Sequence, residues 1–277
     1  MTMSDARPPA VAGMFYPAHP EELRRTIDQL LAEASLKKIP GGLVALISPH
    51  AGYKYSGLTA AHAYKLLSGR SYDTVVIVSP SHREIFDGVS VYSGGAYQTP
   101  LGNLRVDDSL REELVNDDPV ITASLAGHRQ EHAIEVQLPF LQRVLGSFMI
   151  LPVVIGEQKR DACYHLGERL ARAVRGRNVL LVASTDLSHF YPSVTAEKLD
   201  RVIIDDIAKL DHDTMMNDLE TDRGEACGGG PTVAVMLAAK KLGANHASIL
   251  HHSNSGDVTG DMSEVVGYLS AALTRKD

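Results

Sequence analysis

The stretch GLVALISPHAGYKYSG, residues 42–57, decides how the rest of the chain is read. It runs from an almost uninterrupted apolar segment, Leu43–Ser48, into Pro49-His50 and a glycine-rich turn. A short run of Val, Ile and Leu bounded by turn residues suits a strand buried on both faces, as the strands of a parallel sheet are. DTVVIVSPSHREIFDG, residues 73–88, repeats the phrase and delivers His82 after Ser79-Pro80-Ser81. NVLLVASTDLSHFYPS, residues 178–193, repeats it again, with Asp186 and His189 beyond its apolar run.

In open α/β sheets ligands lie beyond the carboxyl ends of the strands, because side chains there leave the packed layers yet stay held by the sheet. A single histidine after a strand ordinarily caps a loop or bonds a carbonyl. Three strands that each end on an imidazole or carboxylate, the first two stiffened by a proline, point to a shared site.

The surrounding sequence alternates such runs with segments of helical period. HPEELRRTIDQLLAEA, residues 19–34, places Pro20 at a first helical position and spaces Leu23, Ile27, Leu30 and Leu31 along one face. Strands are expected at Leu43–Ser48, Thr74–Ser79, Phe148–Ile155 and Val179–Ser184, with GVSVYSG (88–94) and NHASILHHS (245–253) as further strands; SEVVGYLSAAL (263–273) suits a strand or a helix, the strand preferred. Helices are expected at Leu58–Leu67, Ser109–Asn116, Glu131–Leu145, Gln158–Val174, Ala196–Lys209 and Thr232–Leu242, with a kink at Pro139. The pattern predicts an α/β fold, a three-layer α/β/α sandwich around a central mixed sheet, as one domain over residues 1–277.

A chain of 277 residues that is 44% hydrophobic and 22% charged can bury a sizeable core and has the composition of an ordinary globular protein. Its net charge of −7, with no basic stripe, argues against nucleic acid as a partner. The opening segment MTMSDARPPAVAG lacks the pattern of a secretory leader, and no apolar run approaches the ~20 residues that span a bilayer, so a cytoplasmic protein without a membrane partner is expected. Two cysteines, Cys163 and Cys227, do not make a disulfide framework.

Two further segments carry chemistry. In RGEACGGGPTVAVMLAAKKLG, residues 223–243, Pro231 and an apolar-periodic run mark a helix start just after Cys227. Free N–H groups there favour an anion, which would lower the thiol pKa and make Cys227 a metal ligand or a nucleophile. The plainer alternative is that the glycines let chains pack closely. GHRQEHAIEVQLPFL, residues 127–141, spaces His132 and Glu135 on one face of the expected helix, either as an acid–base pair or as a surface ion pair. His62 is expected to be satisfied within its helix, the histidines outside the repeated settings to be structural or solvated, and Cys163 to pack in an amphipathic helix.

With these segments collected, the chain resembles the Memo family, whose bacterial and archaeal branch is called AmmeMemoRadiSam system protein B. The likeness rests on AGMFYPA, SPHAGYKYSG, PSHRE, YQTPLGNLRVD, EHAIEVQLPFL, STDLSHF, EACGGGPT and GDVTGDMSEVVGY, in order along nearly the whole chain. It implies a fold similar to the LigB-type class III extradiol dioxygenases, non-haem iron enzymes that hold their metal with two histidines and a glutamate. Carried over, it implies His50, His82 and Cys227 as metal ligands, Asp186 and His189 opposite the metal, and His132 near the same cleft. Glu225 is the alternative third ligand. The implied cofactor is ferrous iron, although a thiolate also welcomes copper or zinc.

The resulting expectation is a redox or dioxygenase-like metalloenzyme acting on an unknown small molecule or peptide, with His189, Asp186 and His132 as catalytic groups. In it His189 is the acid or base, and Asp186 either orients it or binds metal-bound water. Its rivals are a metal-free cysteine-dependent hydrolase or transferase with Cys227 as nucleophile, and a non-enzymatic adaptor that binds phosphorylated peptides, as is described for eukaryotic Memo relatives. The family name further suggests a radical SAM protein and an AMMECR-type protein as partners.

Overall fold

A computed structural model of the chain describes residues 6–276; the first five residues of the opening segment fall outside them. The strands are β1 (Ala6–Arg7), β2 (Gly42–Ser48), β3 (Thr74–Pro80), β4 (Val89–Tyr92), β5 (Ala96–Thr99), β6 (Gly102–Arg105), β7 (Ile121–Ser124), β8 (Met149–Ile155), β9 (Val179–Ser184), β10 (His189–Tyr191), β11 (His246–Asn254) and β12 (Val265–Arg275). The helices are α1 (Pro20–Glu33), α2 (Tyr53–Tyr64), α3 (Asp108–Val115), α4 (Leu138–Val144), α5 (Arg160–Ala173), α6 (Ser193–Ala208), α7 (His212–Glu220), α8 (Gly229–Lys241) and the single turn α9 (Gly256–Thr259). No helix among the described residues is long and apolar enough to cross a membrane.

The main sheet is mixed. At its centre β2, β9, β3 and β8 run parallel in that spatial order. β12 lies antiparallel between β2 and β11, and β4 lies antiparallel to β8 and carries β7. Every residue of β3 is buried, which its unbroken Val-Val-Ile-Val run dictates: with helices on both sides, neither face of the strand meets water. α2 packs on β2, β11 and β12 with α1 and α4 behind it; α8 packs on β2, β9 and β3 with α5 and α7 against it, and α6 covers β11 and β12. The architecture is therefore a three-layer α/β/α sandwich around a mixed sheet, as the alternation of patterns predicts.

Local departures have physical causes. α1 begins at Pro20, with Glu21 and Glu22 in its first turn, and buries Leu23 and Ile27. α2 begins at Tyr53, five residues before its expected start, and runs through Gly57, where a Cβ would stand 2.8 Å from a Leu30 methyl of α1. The expected helix over 131–145 is not continuous: residues 131–134 are non-helical, a 3-10 turn spans Glu135–Gln137, and α4 starts only at Leu138. Pro139 therefore lies in a first helical turn, where its missing N–H costs nothing, and initiates the helix instead of kinking it. α7 and the short β1, β5, β6 and β7 are not foreseen, because strands of two to four residues with exposed positions carry little periodic signal.

The expected His132–Glu135 pair does not form. Glu135 is fully buried and faces the N-terminal segment instead: it pairs with Arg7 at 2.7 Å and accepts from Ala10 N–H, Val11 N–H and the Tyr16 hydroxyl. Arg7 in turn donates to the carbonyls of His128 and Glu131. This knot fastens residues 7–16 against the loop that carries His132. Glu135→Ala would leave the Arg7 charge buried without its counterion, and we expect a loss of about 3–5 kcal/mol in urea unfolding; a loss below about 1 kcal/mol would mean that the segment is held by other contacts.

Candidate metal centre

Parallel pairing brings the three histidine- and aspartate-bearing exits to one edge. β2 and β9 are in register to their last residues, Ser48 opposite Ser184, and β9 also adjoins β3. The loops after them leave side by side. The His50 N–H donates to Asp186 Oδ1 at 2.7 Å, so the loops after β2 and β9 are joined directly.

The hydrogen bonds fix the tautomer of His50, which is 2% exposed. Its Nδ1 lies 2.9 Å from Ser184 Oγ. That hydroxyl gives its one proton to the Ala133 carbonyl and accepts from Gln137 Nε2, both at 2.8 Å. It can only accept from His50 Nδ1–H, which leaves the His50 Nε2 lone pair unprotonated. His82 is set in the same way: Nδ1 stands 3.0 Å from Glu131 Oε1, so this nitrogen carries the proton and Nε2 is again free to ligate.

Glu131 is the organiser of this region, and the motifs read from sequence passed over it. It is 2% exposed and accepts the N–H groups of His82, His132 and Ala133 at 2.6, 2.8 and 2.9 Å. Burial opposes its charge, but the His82 ring and backbone and the nearby His132 outweigh it and hold the carboxyl at about 2. His132, in the loop before α4, has its Nδ1 3.3 Å from Glu131 Oε1, and that buried atom makes no aligned hydrogen bond. Burial, helped by neighbouring His50, lowers His132 to about 4; burial and His82 push His50 well below the usual histidine range. At neutral pH these two rings are uncharged, the state in which imidazole binds metal.

His50, His82 and His132 each offer a ligand atom within 4.8 Å of the others, which makes them a group able to hold a metal ion. Their ring centroids are 4.7 to 5.4 Å apart. The donor chemistry fits: two lone pairs released by fixed Nδ1–H bonds, and a third buried imidazole whose Nδ1 makes no aligned hydrogen bond.

Cys227 is placed beside His50. Its Sγ is 3.1 Å from His50 Nε2 and accepts from the Asp186 N–H, while its own N–H donates to the Asp186 carbonyl. The expected lowering of its pKa is not found: burial, and then the Asp186 carboxyl, push the thiol up. The amides that were to stabilise a thiolate are already used, Gly228 N–H by Thr185 Oγ1 and Gly230 N–H by Gln158 Oε1. The glycines serve close packing, since a Cβ at 228 would lie 2.2 Å from the Ser184 carbonyl and one at 230 would lie 2.7 Å from Cys163 Sγ. Cys163 itself is buried in α5.

Asp186 does not orient His189. Its carboxylate serves the His50 backbone and is pushed up by burial, whereas the His189 N–H donates to Glu225 and the ring nitrogen lies 3.7 Å from the same carboxylate. Glu225 thus supports His189. His62 bonds the Leu58 carbonyl one turn back, as expected, and stacks on His251.

A cleft of about 520 Å³ opens beside the centre, walled by Phe15, Tyr55, His132, Asp186, His189 and Tyr268 among others. A cavity of 590 Å³ at the opposite edge of the sheet, by Gly42, Val179 and Arg275, touches none of these groups. Size alone would mislead here.

Fold and geometry define an α/β protein with a histidine group able to hold a metal at the carboxyl edge of its sheet. Residues 7–272 match the family described as Memo-like protein, and the chain belongs to the Memo family. It is 40% identical to a MEMO1 family protein of Methanopyrus kandleri, covering 97% of this chain and 99% of that one. It is 41% identical to a MEMO1 family protein of Sulfolobus acidocaldarius, covering 95% and 98%. The crystal structure of an uncharacterised protein from Escherichia coli K12 superposes with a TM-score of 0.57 at 17% identity, over 83% of this chain and 99% of that chain, and shares the fold.

The neutral histidines set a pH dependence. His132 at about 4 and His128, lowered by burial to about 3, take up protons far below the ~6.5 of an unfolded chain, so the unfolded state binds protons first as the pH falls. Glu131 acts in the same direction, losing its contribution from the unfolded carboxyl value down to about 2. The urea midpoint of metal-free protein should be flat above about pH 7.5 and fall steadily on acidification below about 6.5; a midpoint constant between pH 7 and 5 would contradict buried neutral rings.

Proposed function

We propose that this protein is a non-haem-iron oxidoreductase of dioxygenase-like type acting on a small molecule, with His50, His82 and Cys227 as the ligands of one ferrous ion. The observation that carries this reading is the pair of imidazoles whose Nδ1 protons are tied to Ser184 and Glu131, leaving the Nε2 lone pairs free on two rings whose centroids are 5.0 Å apart. Cys227 Sγ lies 3.1 Å from His50 Nε2, so the thiol and this imidazole could serve one ion together. Cys227 would serve such an ion as its thiolate, giving up the proton that burial otherwise retains. His132 lines the cleft, whereas His50, His82 and Cys227 do not, which suits it to face substrate.

When bound, ferrous iron with three protein ligands supplies open positions for substrate and an oxidant. The chain's own part is to hold and move protons. His189, beside Glu225, and His132, beside Glu131, both face the cleft and exchange protons with a bound molecule. Asp186 positions the His50 backbone, and Phe15, Tyr55 and Tyr268 exclude water from one side.

Two other arrangements have observations behind them. The group of three rings would hold the ion without Cys227. Cys227 beside His50 would be a nucleophile and base, but burial pushes the thiol up and the imidazole down, away from the ion pair that such a nucleophile needs. Anaerobic reconstitution with ferrous iron separates the three. His50→Ala and His82→Ala should each lose at least about 90% of bound iron, Cys227→Ser should lose most of it, and His132→Ala should keep it. Retention in Cys227→Ser with loss in His132→Ala would assign the three-ring site. Unchanged iron in both His50→Ala and His82→Ala, with thiol alkylation indifferent to metal, would replace the proposal by the cysteine enzyme. Separately, Glu131→Gln should weaken iron binding by about 10- to 100-fold while the protein stays folded, since it removes the charge that fixes the His82 tautomer.

A further inference from the structure

We infer that the cleft beside the histidine group selects a cationic ligand, an alkylammonium or guanidinium group carried on a flat or apolar body. The inference deepens the proposed function by naming the chemical class of its substrate. The walls nearest the rings are aromatic: Phe15 lies against His132 with centroids 4.9 Å apart, and Tyr55 and Tyr268 complete the apolar side. The mouth is acidic. Asp261 and Glu264 both line it from the segment between α9 and β12, and no lysine or arginine lines the cleft among the described residues.

Asp261 is held in place by accepting the N–H and hydroxyl of Ser263 at 2.9 and 2.6 Å. Its fixed charge therefore stays at the rim instead of being neutralised by a basic partner. Lys54 Nζ stands 5.4 Å from the Tyr55 ring centroid without lining the cleft, and aromatic faces like those of Tyr55 and Tyr268 attract cations in general. A body of roughly ring size fits a volume of about 520 Å³ with room to spare. An anionic peptide, by contrast, would meet two uncompensated carboxylates at the entrance.

The experiment is calorimetric titration of the full chain with three compounds that share one body: phenethylamine, 2-phenylethanol and phenylacetate. It is run on both metal-free and anaerobically iron-loaded protein, alongside a short blocked peptide containing one lysine. The expected order is phenethylamine over 2-phenylethanol over phenylacetate, with at least about tenfold between the first and last, narrowing at high salt as screening grows. Glu264→Gln and Asp261→Asn, which leave the rings untouched, should each reduce the preference by about two- to fivefold, the range of exposed ion pairs. The tighter of amine and lysine peptide identifies whether the cation comes from a small molecule or a protein side chain. Equal or tighter binding of phenylacetate, or an unchanged preference in both rim variants, overturns the inference. The preference is read in metal-free protein as well, so its failure is distinct from failure of the iron assignment, which is read from metal content.

Discussion

Glu131 is the constraint on which the site depends. A carboxylate that is 2% exposed must find partners for its oxygens, and it finds them in the backbone of His82, His132 and Ala133 and in the His82 ring. Leaving it unsatisfied would cost several kcal/mol, so the loop after β3 and the loop before α4 are obliged to meet around it. Two of the three rings are placed by that one requirement. The third, His50, is placed by an equivalent device in which Asp186 takes its N–H and Ser184 takes its ring proton.

These devices act on tautomers as much as on positions. A ligand imidazole is useful only if the nitrogen facing the ion is the unprotonated one, and the usual means is a hydrogen bond from the opposite nitrogen. Here the acceptors differ, a serine whose own proton is committed to Ala133 and a glutamate held ionised by its surroundings. The lowered values of His50 and His132 follow from the same burial, and so does the raised thiol of Cys227. The same burial keeps these imidazoles and the thiol in their uncharged forms near neutral pH.

Much of the fold was legible because the central strands are buried on both faces and read as continuous apolar runs: β2, β3, β8 and β9 lie within a residue of their expected bounds. The meeting of residues 50, 82 and 186 was legible because parallel strands deliver their exits to one edge. What was not legible depended on long-range partners. Glu135 sits at helical spacing from His132, and nothing local reveals that Arg7, more than a hundred residues earlier, claims it. The glutamate that matters, Glu131, is the immediate sequence neighbour of His132, a spacing that puts two side chains on no common helix face; its signal lay in the loop before Pro139, not in periodicity. The thiol of Cys227 differs from expectation for a similar reason: the helix begins at Gly229, before the expected Thr232, and the nearby amides are taken by Thr185 and Gln158 from two other loops.

The walls of the cleft come from distant parts of the chain, Phe15 on one side and Ser255 to Tyr268 on the other, and the latter lead into β12, which slots between β2 and β11. During translation the residues at 50, 82, 132 and 227 all leave the ribosome before that strand does. A nascent chain therefore displays potential ligands to the surrounding fluid while the sheet is still missing an inner member and the cleft has no far wall. Enclosure arrives last, through contacts between segments some two hundred residues apart, the kind of closure that is slow to form.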